Sequence, residues 1–544
     1  MGKGPGVSVV LYGLMMAGLA LPGSAGVARA EVPLFENLGV LHHEITTYSS
    51  LAQKYFDQGL RLMYGFNHEK AIASFTEASR LDPDAPMPYW GVALSLGPNI
   101  NAAMDAKSES RAVEALQKAT ARLAHATPRE RAYVEALAAR YSAKKSTNRK
   151  AKDEAYAKAM RRLAHEYPDD SDAATLFAEA LMVLRPWDYW RADGRPQPGT
   201  EDIVTTLEAA LQHHPDHPGA CHYYIHAVEA SQEPQRGLPC AQRLPSLMPG
   251  AGHLVHMPAH IYMRVGRYRD ASERNANAAT VDHEYLLHRP LEGNYASGYY
   301  AHNLHFLNAS LVMEGRSAEA LQAARDLLSK ISVDEIVKEP SLEWYAPTLL
   351  LTMARFGQWG ELIRQPPPPK ELRYTTGLWH YVRGLAFAAT TRFGSAEGEL
   401  ANLKKSLKVL AKAKTDEAKI SRTLLKIAER VLTGEIAART GHFDAGIQAL
   451  REALQLEATL PYSEPPFWFQ PVRHNLGAVL LLAGRASEAE SVYREDLRLN
   501  PENGWALHGL VQSLQAQQKD GSQEHARLQT AWAQADVTPT GSRY

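Results

Sequence analysis

Four residues near the beginning of the chain recur near its end with the same spacing. Gly59, Ala71, Phe75 and Pro83 are separated by 12, 4 and 8 residues. The second set repeats these three intervals and consists of Gly477, Ala489, Tyr493 and Pro501. In helical repeats, small residues let two helices approach and an aromatic side chain fills the space beside them. The recurrence therefore predicts helical repeats rather than several globular domains, although the chain has 544 residues.

Further glycines between the two sets are expected to mark the turns of other repeats, namely Gly266, Gly315, Gly357, Gly394 and Gly441. Apolar residues around them recur with helical period. We expect an almost wholly helical, right-handed solenoid. The interval from Gly266 to Gly315 is longer than one repeat, and we expect the excess, which lies at 281–300, to form a loop beside the inner surface.

The glycine, alanine and aromatic pattern resembles the tetratricopeptide-repeat superfamily. At a finer level, residues 64–69 (YGFNHE), 89–91 (YWG) and 97–101 (GPNIN) are similar to a group of secreted bacterial tetratricopeptide proteins. This resemblance implies an all-α helical-repeat fold and export, and it implies no particular reaction. It also implies that the first helix of each repeat lines the concave surface.

The beginning of the chain, at 1–30, has the features of an export signal. Lys3 is followed by an apolar run from Val7 to Leu21, and Ala28-Arg29-Ala30 provides a small-residue cleavage site before Glu31. We therefore expect a periplasmic or secreted protein that begins at Glu31. No later stretch approaches the ~20 apolar residues that a membrane span requires.

The charge balance argues against a nucleic-acid or membrane partner. The formal net charge is −1, and removal of Lys3 and Arg29 with the leader makes it −3. Acidic and basic residues are interspersed, so no basic patch is predicted. The two cysteines, Cys221 and Cys240, fall on two helices of one predicted repeat. In an oxidising compartment they are expected to form a disulfide, with two buried thiols as the alternative.

The sequence divides into five predicted segments: a leader at 1–30, N-terminal helical repeats at 31–200, histidine-rich central repeats at 201–330, C-terminal helical repeats at 331–520 and a polar tail at 521–544. The tail is expected to fray at its end. Proline-rich loops are predicted at 366–369 and 461–471. The second loop carries aromatic residues that either cap the groove or plug a junction between repeats.

Two histidine pairs occupy the same register in adjacent repeats. His222 and His226 recur one repeat length later in the chain as His256 and His260. The i, i+4 spacing within each pair puts two imidazoles on one helix face, where their nitrogens can converge on a cation. This register predicts that His226 and His260 come close together.

The turn glycines extend the register to further histidines. His253 and His256 precede the turn glycine of their repeat at the same two intervals at which His302 and His305 precede the next turn glycine. Neighbouring helices pack ~8–10 Å apart, so imidazoles from adjacent helices can share a metal.

Glu229 extends the stripe formed by His222 and His226, because it lies one helical turn after His226. Such a carboxylate can ligate a metal, orient a histidine or accept a proton. The predicted ligand set is His222, His226, Glu229, His253, His256, His260, His302 and His305. These donors are enough for one metal with spare ligands, or for two metals ~3.5–4 Å apart. A groove for an acidic ligand and a metal-free polar network are the alternatives.

The donor set favours a transition metal. Imidazole suits copper, iron and zinc, and we favour copper because the set resembles dicopper oxidase and hydroxylase centres in ligand type. Glu229, Tyr224 and Tyr262 lie on or beside the same helices and are the catalytic candidates. We therefore expect oxidation of a small organic substrate. The alternatives are a zinc hydrolase with Glu229 as general base and a scaffold that binds a segment of another exported protein.

Other histidines are less informative. His213, His214 and His217 flank a predicted helix junction and are expected to face solvent. His42 and His43 could fold back as extra ligands. No phosphate loop, dinucleotide fingerprint, haem-attachment motif or nucleophile elbow is found, which disfavours the corresponding enzyme classes.

His474 and His508 are also one repeat length apart and occupy the groove-facing register. Arg473 stands beside the first of them. These residues are predicted either to bind a carboxylate or phosphate or to line the groove.

Overall fold

The computed structural model describes residues 32–141, 148–287, 295–468 and 470–544. The predicted leader, residues 288–294 of the predicted loop and Phe469 lie outside the described residues. Over the described residues the structure is helical, and the β contacts are two isolated bridges, Asn99–Ala102 and Trp190–Pro196. None of the helices described is both long enough and apolar enough to cross a membrane.

Most of the described residues lie in α-helices whose consecutive members pack against each other. Their bounds are Ser50–Tyr64 (α1), His68–Leu81 (α2), Pro86–Ser95 (α3), Ala106–Thr120 (α4), Pro128–Ala138 (α5), Arg149–Glu166 (α6), Ser171–Val183 (α7), Thr200–His213 (α8), Pro218–Val228 (α9), Leu238–Leu247 (α10), Gly252–His256 (α11), Pro258–Arg264 (α12), Tyr268–Leu287 (α13), Ala301–Glu314 (α14), Ser317–Leu328 (α15), Val333–Lys338 (α16), Thr348–Arg355 (α17), Trp359–Arg364 (α18), Arg373–Ala389 (α19), Phe393–Leu410 (α20), Asp416–Arg439 (α21), Phe443–Glu457 (α22), Val472–Leu482 (α23), Ala486–Leu499 (α24), Gly504–Ala516 (α25) and Ser522–Ala531 (α26). Short 3₁₀ or π-helical turns cover Leu123–His125, Pro234–Gly237, Ala296–Tyr300 and Pro340–Trp344.

The chain forms two compact units. The N-terminal unit comprises the described residues of Met1–Ile261 and Thr280–Asn294. The C-terminal unit comprises those of Tyr262–Ala279 and Tyr295–Tyr544.

The contacts predicted by the glycine and aromatic pattern are present in both units. In the N-terminal unit the ring of Phe75 packs so closely on Gly59 and Gly91 that neither position has room for a Cβ atom. In the C-terminal unit Tyr493 packs on Gly477 in the same way. These are the close helix approaches of the tetratricopeptide pattern. The predicted all-α helical-repeat fold is therefore confirmed.

Four of the five predicted turn glycines have the left-handed backbone conformation. Gly266, Gly315, Gly357 and Gly441 have φ of 78°, 72°, 68° and 83°, and each lies just before a helix begins. Glycine adopts this conformation without the steric penalty of a Cβ atom. The sequence therefore located these turns correctly.

The prediction for Gly394 was wrong, because this residue is the second residue of α20. The equivalent turn position is occupied by Thr391, whose φ is 59°. Phe66 occupies the equivalent position before α2, with φ of 58°. A residue with a Cβ atom loses about 1–2 kcal/mol in this conformation. Phe66 and Thr391 are thus strained where other repeats have glycine.

The predicted loop over residues 281–300 was wrong in its first part, because α13 continues to Leu287. Neither glycine nor proline occurs between Tyr268 and Leu287, so the sequence contains no helix breaker there. Asp282 is buried and packs against Gly252 within the N-terminal unit. This tertiary contact favours the extra helical turns.

The prediction that the tail frays was also wrong. The buried hydroxyl of Ser542 donates to the carbonyl oxygen of His474 at 2.7 Å. The carboxylate of Asp536 accepts from the backbone N–H groups of Ser317 and Ala318, at 2.6 and 2.9 Å. These N–H groups belong to the first turn of α15, where an anion is favourable. The tail is therefore held in place by hydrogen bonds between its side chains and backbone groups that are distant in the sequence.

We expect the strain at Thr391 to be measurable. Thr391→Gly should raise the free energy of unfolding by up to about 1 kcal/mol, whereas Gly441→Ala should lower it by about 1 kcal/mol. Both positions are exposed, and an added Cβ at Gly441 would have no atom within 4 Å, so the backbone conformation is the main variable. Thermal or urea unfolding of the two variants checks this. Equal stability of both variants and the wild type would show that no strain is stored.

Candidate metal centre

Two helical segments of the N-terminal unit carry the predicted ligands. α9 carries His222 and His226, while α11 and the start of α12 carry His253, His256 and His260. A proline opens α12 and lacks the amide N–H that would continue the hydrogen-bond ladder of α11. The helix is therefore interrupted between His256 and His260.

The five histidines form one buried cluster. Their exposed fractions are between 0 and 4%. The ring centroids of His222 lie 4.9 Å from those of both His226 and His253, and the rings of His256 and His260 are 4.8 Å apart. The rings of His226 and His260 are 5.5 Å apart. The two matched registers thus bring their histidines together as predicted.

Glu229 connects the two helical segments. Its side chain is 1% exposed, and its two oxygens accept hydrogen bonds from Nδ1 of His226 at 2.9 Å and from Nδ1 of His260 at 2.5 Å. Burial alone would raise the pKa of Glu229, but the His260 charge and the hydrogen bonds from both imidazoles lower it to about 2. The carboxylate remains ionised. Of the three roles considered for Glu229, this geometry corresponds to orienting histidines.

The hydrogen bonds determine which ring nitrogens carry the lone pairs. Nδ1 of His222 lies 2.7 Å from the carbonyl oxygen of Tyr64, and a carbonyl can only accept. His222, His226 and His260 therefore all donate from Nδ1. Burial first, and the neighbouring His226 second, lower the pKa of His222 well below its ordinary value. Burial also lowers the pKa of His226. His222 and His226 are therefore in the neutral form that binds metals, with their Nε2 atoms as acceptors.

Two groups of Nε2 atoms result. Nε2 of His222 lies 3.1 Å from Nε2 of His253, and His226 belongs to the same group because one nitrogen of each of these three residues lies within 4.8 Å of the others. We call His222, His226 and His253 the first subsite. Nε2 of His256 lies 2.8 Å from Nε2 of His260, and these two residues form the second subsite. Glu229 contacts one histidine of each subsite.

Nε2 of His226 is the least satisfied of these atoms. It is buried, and within the described parts of the chain no hydrogen-bond partner reaches it. A buried acceptor without a donor costs about 1–3 kcal/mol. A cation between the imidazoles of the first subsite would remove this penalty.

Two aromatic residues that the sequence analysis missed cover the first subsite. The ring of Phe66 lies 4.5 Å from that of His222 and is stacked 5.4 Å from that of His253. The ring of Trp187 lies 4.9 Å from that of His226. Both residues have positive φ, 58° for Phe66 and 64° for Trp187. Strained residues cluster at functional sites. Phe66 belongs to the 64–69 motif, which was the available signal for it.

A second buried network supports α9 from outside the cluster. Asp172 accepts hydrogen bonds from the Tyr64 hydroxyl at 2.6 Å, from Nδ1 of His43 at 2.7 Å and from Nε2 of His217 at 3.0 Å. His217 also accepts from the backbone N–H of Ala220 and thereby caps α9. Tyr64 connects this network to the cluster, because its carbonyl oxygen accepts from His222.

This network corrects two expectations. His217 is buried rather than exposed, because it pairs with Asp172, whereas His213 and His214 face solvent as predicted. His43 does fold back, but its contact is with Asp172 rather than with the histidine cluster. His42 contacts Asp57 at 2.8 Å.

The predicted catalytic tyrosines have other contacts. The hydroxyl of Tyr224 donates to Glu208 at 2.6 Å, and Arg236 binds the same carboxylate. The Tyr224 hydroxyl is therefore engaged on a face of α9 away from Glu229. In the C-terminal unit, the guanidinium of Arg267 lies 4.6 Å from the ring centroid of Tyr262. Both sets of contacts are typical of packing residues.

His302 and His305 lie on α14 of the C-terminal unit. The ring of His302 is 5.8 Å from that of Phe306, and the ring of His305 is 5.1 Å from that of Tyr345. Burial lowers the pKa of His305 to about 4, so this imidazole is neutral. The contribution of these two histidines to a metal site stays a prediction.

His474 does not line a groove, contrary to expectation. It is fully buried, donates from Nε2 to Asp496 at 3.0 Å and accepts at Nδ1 from Arg355 at 2.8 Å. His508 is half-buried. The sequence register placed His474 on the correct helix but could not show that Arg355 and Asp496 enclose it.

The two cysteines face each other within the N-terminal unit. Cys221 of α9 and Cys240 of α10 are buried, and their Sγ atoms are 2.6 Å apart. They stand as two thiols in the structure. The disulfide stays a prediction.

Comparison with known proteins adds little beyond the fold. No protein-family model and no curated protein matches the chain. Similar solved structures include the APC/C hetero-tetramer Cut9–Hcn1 (14% identity, 88% of this chain and 76% of that chain covered, TM-score 0.31) and yeast Tom70 (14%, 89% and 92%, 0.29). The P58(IPK) TPR domain is another (11% identity, 86% and 98% covered, TM-score 0.20). These values carry no argument about function. The fold rests on the packing of Phe75 and Tyr493 against their glycines. The chain has a helical-repeat fold with tetratricopeptide-type helix packing.

Removing the acceptor that orients the cluster should weaken metal binding. A Glu229→Gln variant presents one acceptor oxygen and an NH₂ group, so one Nδ1–H of the pair His226 and His260 meets another donor. We expect the affinity for Cu²⁺ to fall about 10- to 100-fold with unchanged helix content. Competition with a chelating indicator measures the affinity, and circular dichroism measures the helix content.

Glu179→Gln is the matched control, because Glu179 is a buried carboxyl of α7 in the same unit whose main charged neighbour is Arg140. Its affinity should equal that of the wild type. Equal affinities in the two variants would contradict an orienting role for Glu229.

The Asp172 network predicts a pH-dependent stability. Burial lowers the pKa of His43, but the hydrogen bond and the charge of Asp172 outweigh it and raise this pKa above its ordinary value of about 6.5. The protonated imidazole therefore stabilises the fold fully below the unfolded pKa, and this contribution is lost as the pH rises through the folded pKa. We expect the wild type to lose its advantage over His43→Gln as the pH rises above about 6.5, the ordinary pKa of histidine.

Thermal unfolding across this range measures the difference between the wild type and His43→Gln. The exposed His165, on α6 of the same unit, supplies the control His165→Gln, whose difference from the wild type should stay constant. A His43 advantage that grows with pH would contradict the account.

Proposed function

We propose that this protein is an exported metalloprotein that binds a transition metal, with copper favoured, at the buried histidine cluster of its N-terminal unit. We further propose that the metal centre oxidises a small organic substrate. The observation that carries the proposal is the buried Nε2 of His226, which has no partner in the described parts of the chain and lies in one group with His222 and His253.

The arrangement of protons supports a cation rather than a hydrogen-bond network at the first subsite. His222 and His226 both use their Nδ1 protons outside the cluster, on Tyr64 and Glu229. Two lone pairs therefore face the same small volume. His253 can supply at most one proton from Nε2, so a neutral network leaves one acceptor without a donor. A metal ion satisfies all three nitrogens together.

The distances fit shared coordination. Nε2 atoms that bind one metal at ~2.0–2.1 Å lie roughly 3 Å apart or slightly more. The separation is 3.1 Å between His222 and His253 and 2.8 Å between His256 and His260. Each subsite therefore supports a metal ion with little movement. Because Glu229 contacts both subsites, a dinuclear centre is the fuller form of this proposal.

The donor set favours a transition metal. The two subsites offer imidazole nitrogen, and the one carboxylate among them is engaged with Nδ1 protons. Such nitrogen ligation suits copper, iron, nickel and zinc rather than calcium or magnesium. A copper or iron ion would supply one-electron chemistry at the site. Around it, Glu229 holds the Nδ1 protons while Phe66 and Trp187 cover the imidazoles with apolar surface, which excludes water.

Hydrolysis is less well supported than oxidation. A zinc hydrolase needs a general base with an oxygen directed at water. Both oxygens of Glu229 accept hydrogen bonds from imidazoles instead. A scaffold that binds a segment of another exported protein is the remaining alternative, and it is compatible with the fold but assigns no role to the unsatisfied nitrogen of His226.

Metal content of the full-length protein, purified after export, tests the proposal. We expect about one or two equivalents of copper or iron per chain and a visible or paramagnetic signal. His226→Ala should lose at least half of the metal while its helical circular-dichroism signal persists, because the side chain binds metal rather than joining repeats. His165→Ala, an exposed histidine of the same unit, should keep the metal content of the wild type.

Other outcomes decide between the alternatives. Zinc as the bound metal, without a visible signal, would overturn oxidation in favour of hydrolysis. The proposal of a metal centre is overturned if the purified protein contains no metal and also takes up no copper, iron or zinc in titration.

A further inference from the structure

The C-terminal unit contains a cavity that is separate from the histidine cluster. Its volume is about 350 Å³, and its wall is formed by α12, α13, α14, α22, α23 and α24 together with the proline-rich loop 461–471. Ligand pockets range from about 300 to 1,000 Å³. The cavity is therefore large enough for a molecule of amino-acid size.

The predicted proline-rich loop helps to close this cavity. Pro466, Trp468 and Pro471 contribute to its wall, and Trp468 is buried. An aromatic residue on a loop is favourable when it covers something. The same loop also packs on other elements of the unit, because the ring of Phe467 lies 4.8 Å from that of Trp344 and the ring of Trp468 lies 5.6 Å from that of Tyr381.

Two buried polar atoms of the wall lack partners in the described part of the chain. They are Oε2 of Glu457 and the hydroxyl oxygen of Tyr268. The other oxygen of Glu457 accepts from the backbone N–H of Val472 at the long distance of 3.4 Å. A buried polar group without a partner costs about 1–3 kcal/mol. Both atoms therefore favour a ligand whose polar groups form hydrogen bonds with them.

Positive charge lies in the same wall. Arg264 and Arg473 both contribute to the cavity and are half-buried. Burial raises the pKa of Glu457 to about 8, although the charge of Arg473 lowers it. Glu457 is thus largely protonated in the empty cavity at neutral pH, and it must release this proton to pair with a cation. Before that, Arg264 and Arg473 outnumber the other carboxyl of the wall, Glu464, and favour an anionic group in the ligand.

We propose that this cavity binds a small zwitterion, an apolar α-amino acid, whose ammonium group is held by Glu457 and Tyr268 and whose carboxylate is held by Arg473. The apolar side chain of the ligand packs against Met313 and Trp468. A ligand with an ammonium group but no carboxylate would leave Arg473 without a partner. A ligand with a carboxylate but no ammonium group would leave Glu457 and Tyr268 without one. The zwitterion satisfies both ends.

Calorimetric titration of the full-length protein tests this. The probes are L-leucine and L-phenylalanine, compared with phenethylamine, which lacks the carboxylate, and 3-phenylpropionate, which lacks the ammonium group. We expect at least one of the two amino acids to bind saturably, and each phenylalanine analogue to bind about tenfold more weakly than phenylalanine or worse, since each loses a charged hydrogen bond.

Variants locate the binding. Glu457→Gln and Arg473→Gln should each lower the affinity about tenfold or more. The matched control is Glu452→Gln on the same helix, because Glu452 is half-buried, pairs with Arg430 and does not line the cavity, and it should bind like the wild type. Thermal unfolding verifies that each variant folds. His226→Ala should leave the affinity unchanged, which separates this site from the metal centre.

The proposal is overturned if neither amino acid binds saturably. It is also overturned if phenethylamine or 3-phenylpropionate binds as tightly as phenylalanine, or if folded Glu457→Gln and Arg473→Gln both keep the wild-type affinity.

Discussion

One buried carboxylate organises the candidate centre. Glu229 is 1% exposed and ionised, and an ionised group at that depth requires charged or hydrogen-bonding partners on both oxygens. His226 and His260 provide them from two different helical segments. Satisfying the carboxylate therefore fixes the orientation of one imidazole in each subsite. The inward-facing lone pair of His226 is a consequence of this interaction, whereas that of His222 follows from its bond to the carbonyl oxygen of Tyr64.

Two aromatic residues that cover the same site have a strained backbone conformation. Other repeats place glycine at the turn before the second helix, whereas Phe66 occupies that position with φ of 58°. Its ring contacts the imidazoles of His222 and His253, and Trp187, also at positive φ, contacts His226. Natural proteins depart from local conformational preference mainly where function requires it. The strained aromatic residues and the unsatisfied nitrogen thus coincide at one place.

The sequence determined more of the fold than of the site. Spacing alone located the glycine contacts of Phe75 and Tyr493, because they recur in register. It also predicted that His226 and His260 meet. Spacing could not predict which nitrogens the oxygens of Glu229 contact. A carboxylate three residues after His226 is equally compatible with ligating a metal, orienting a histidine and accepting a proton.

Long-range contacts explain most of the remaining errors. His43 pairs with Asp172 across 129 residues, and His217 pairs with the same carboxylate. Ser542 bonds the carbonyl of His474 across 68 residues. No local pattern signals such partners, so a buried histidine and an ordered tail were both expected to be exposed. The turn at Thr391 was missed for a different reason. Turns were located by their glycines, and this turn has none.

X-ray absorption at the metal edge of the copper-loaded, full-length protein tests the central claim most directly. The account predicts a shell of nitrogen ligands at about 2.0 Å with the multiple scattering of several imidazoles. A shell of oxygen atoms without imidazole scattering, or sulfur at about 2.3 Å, would contradict it.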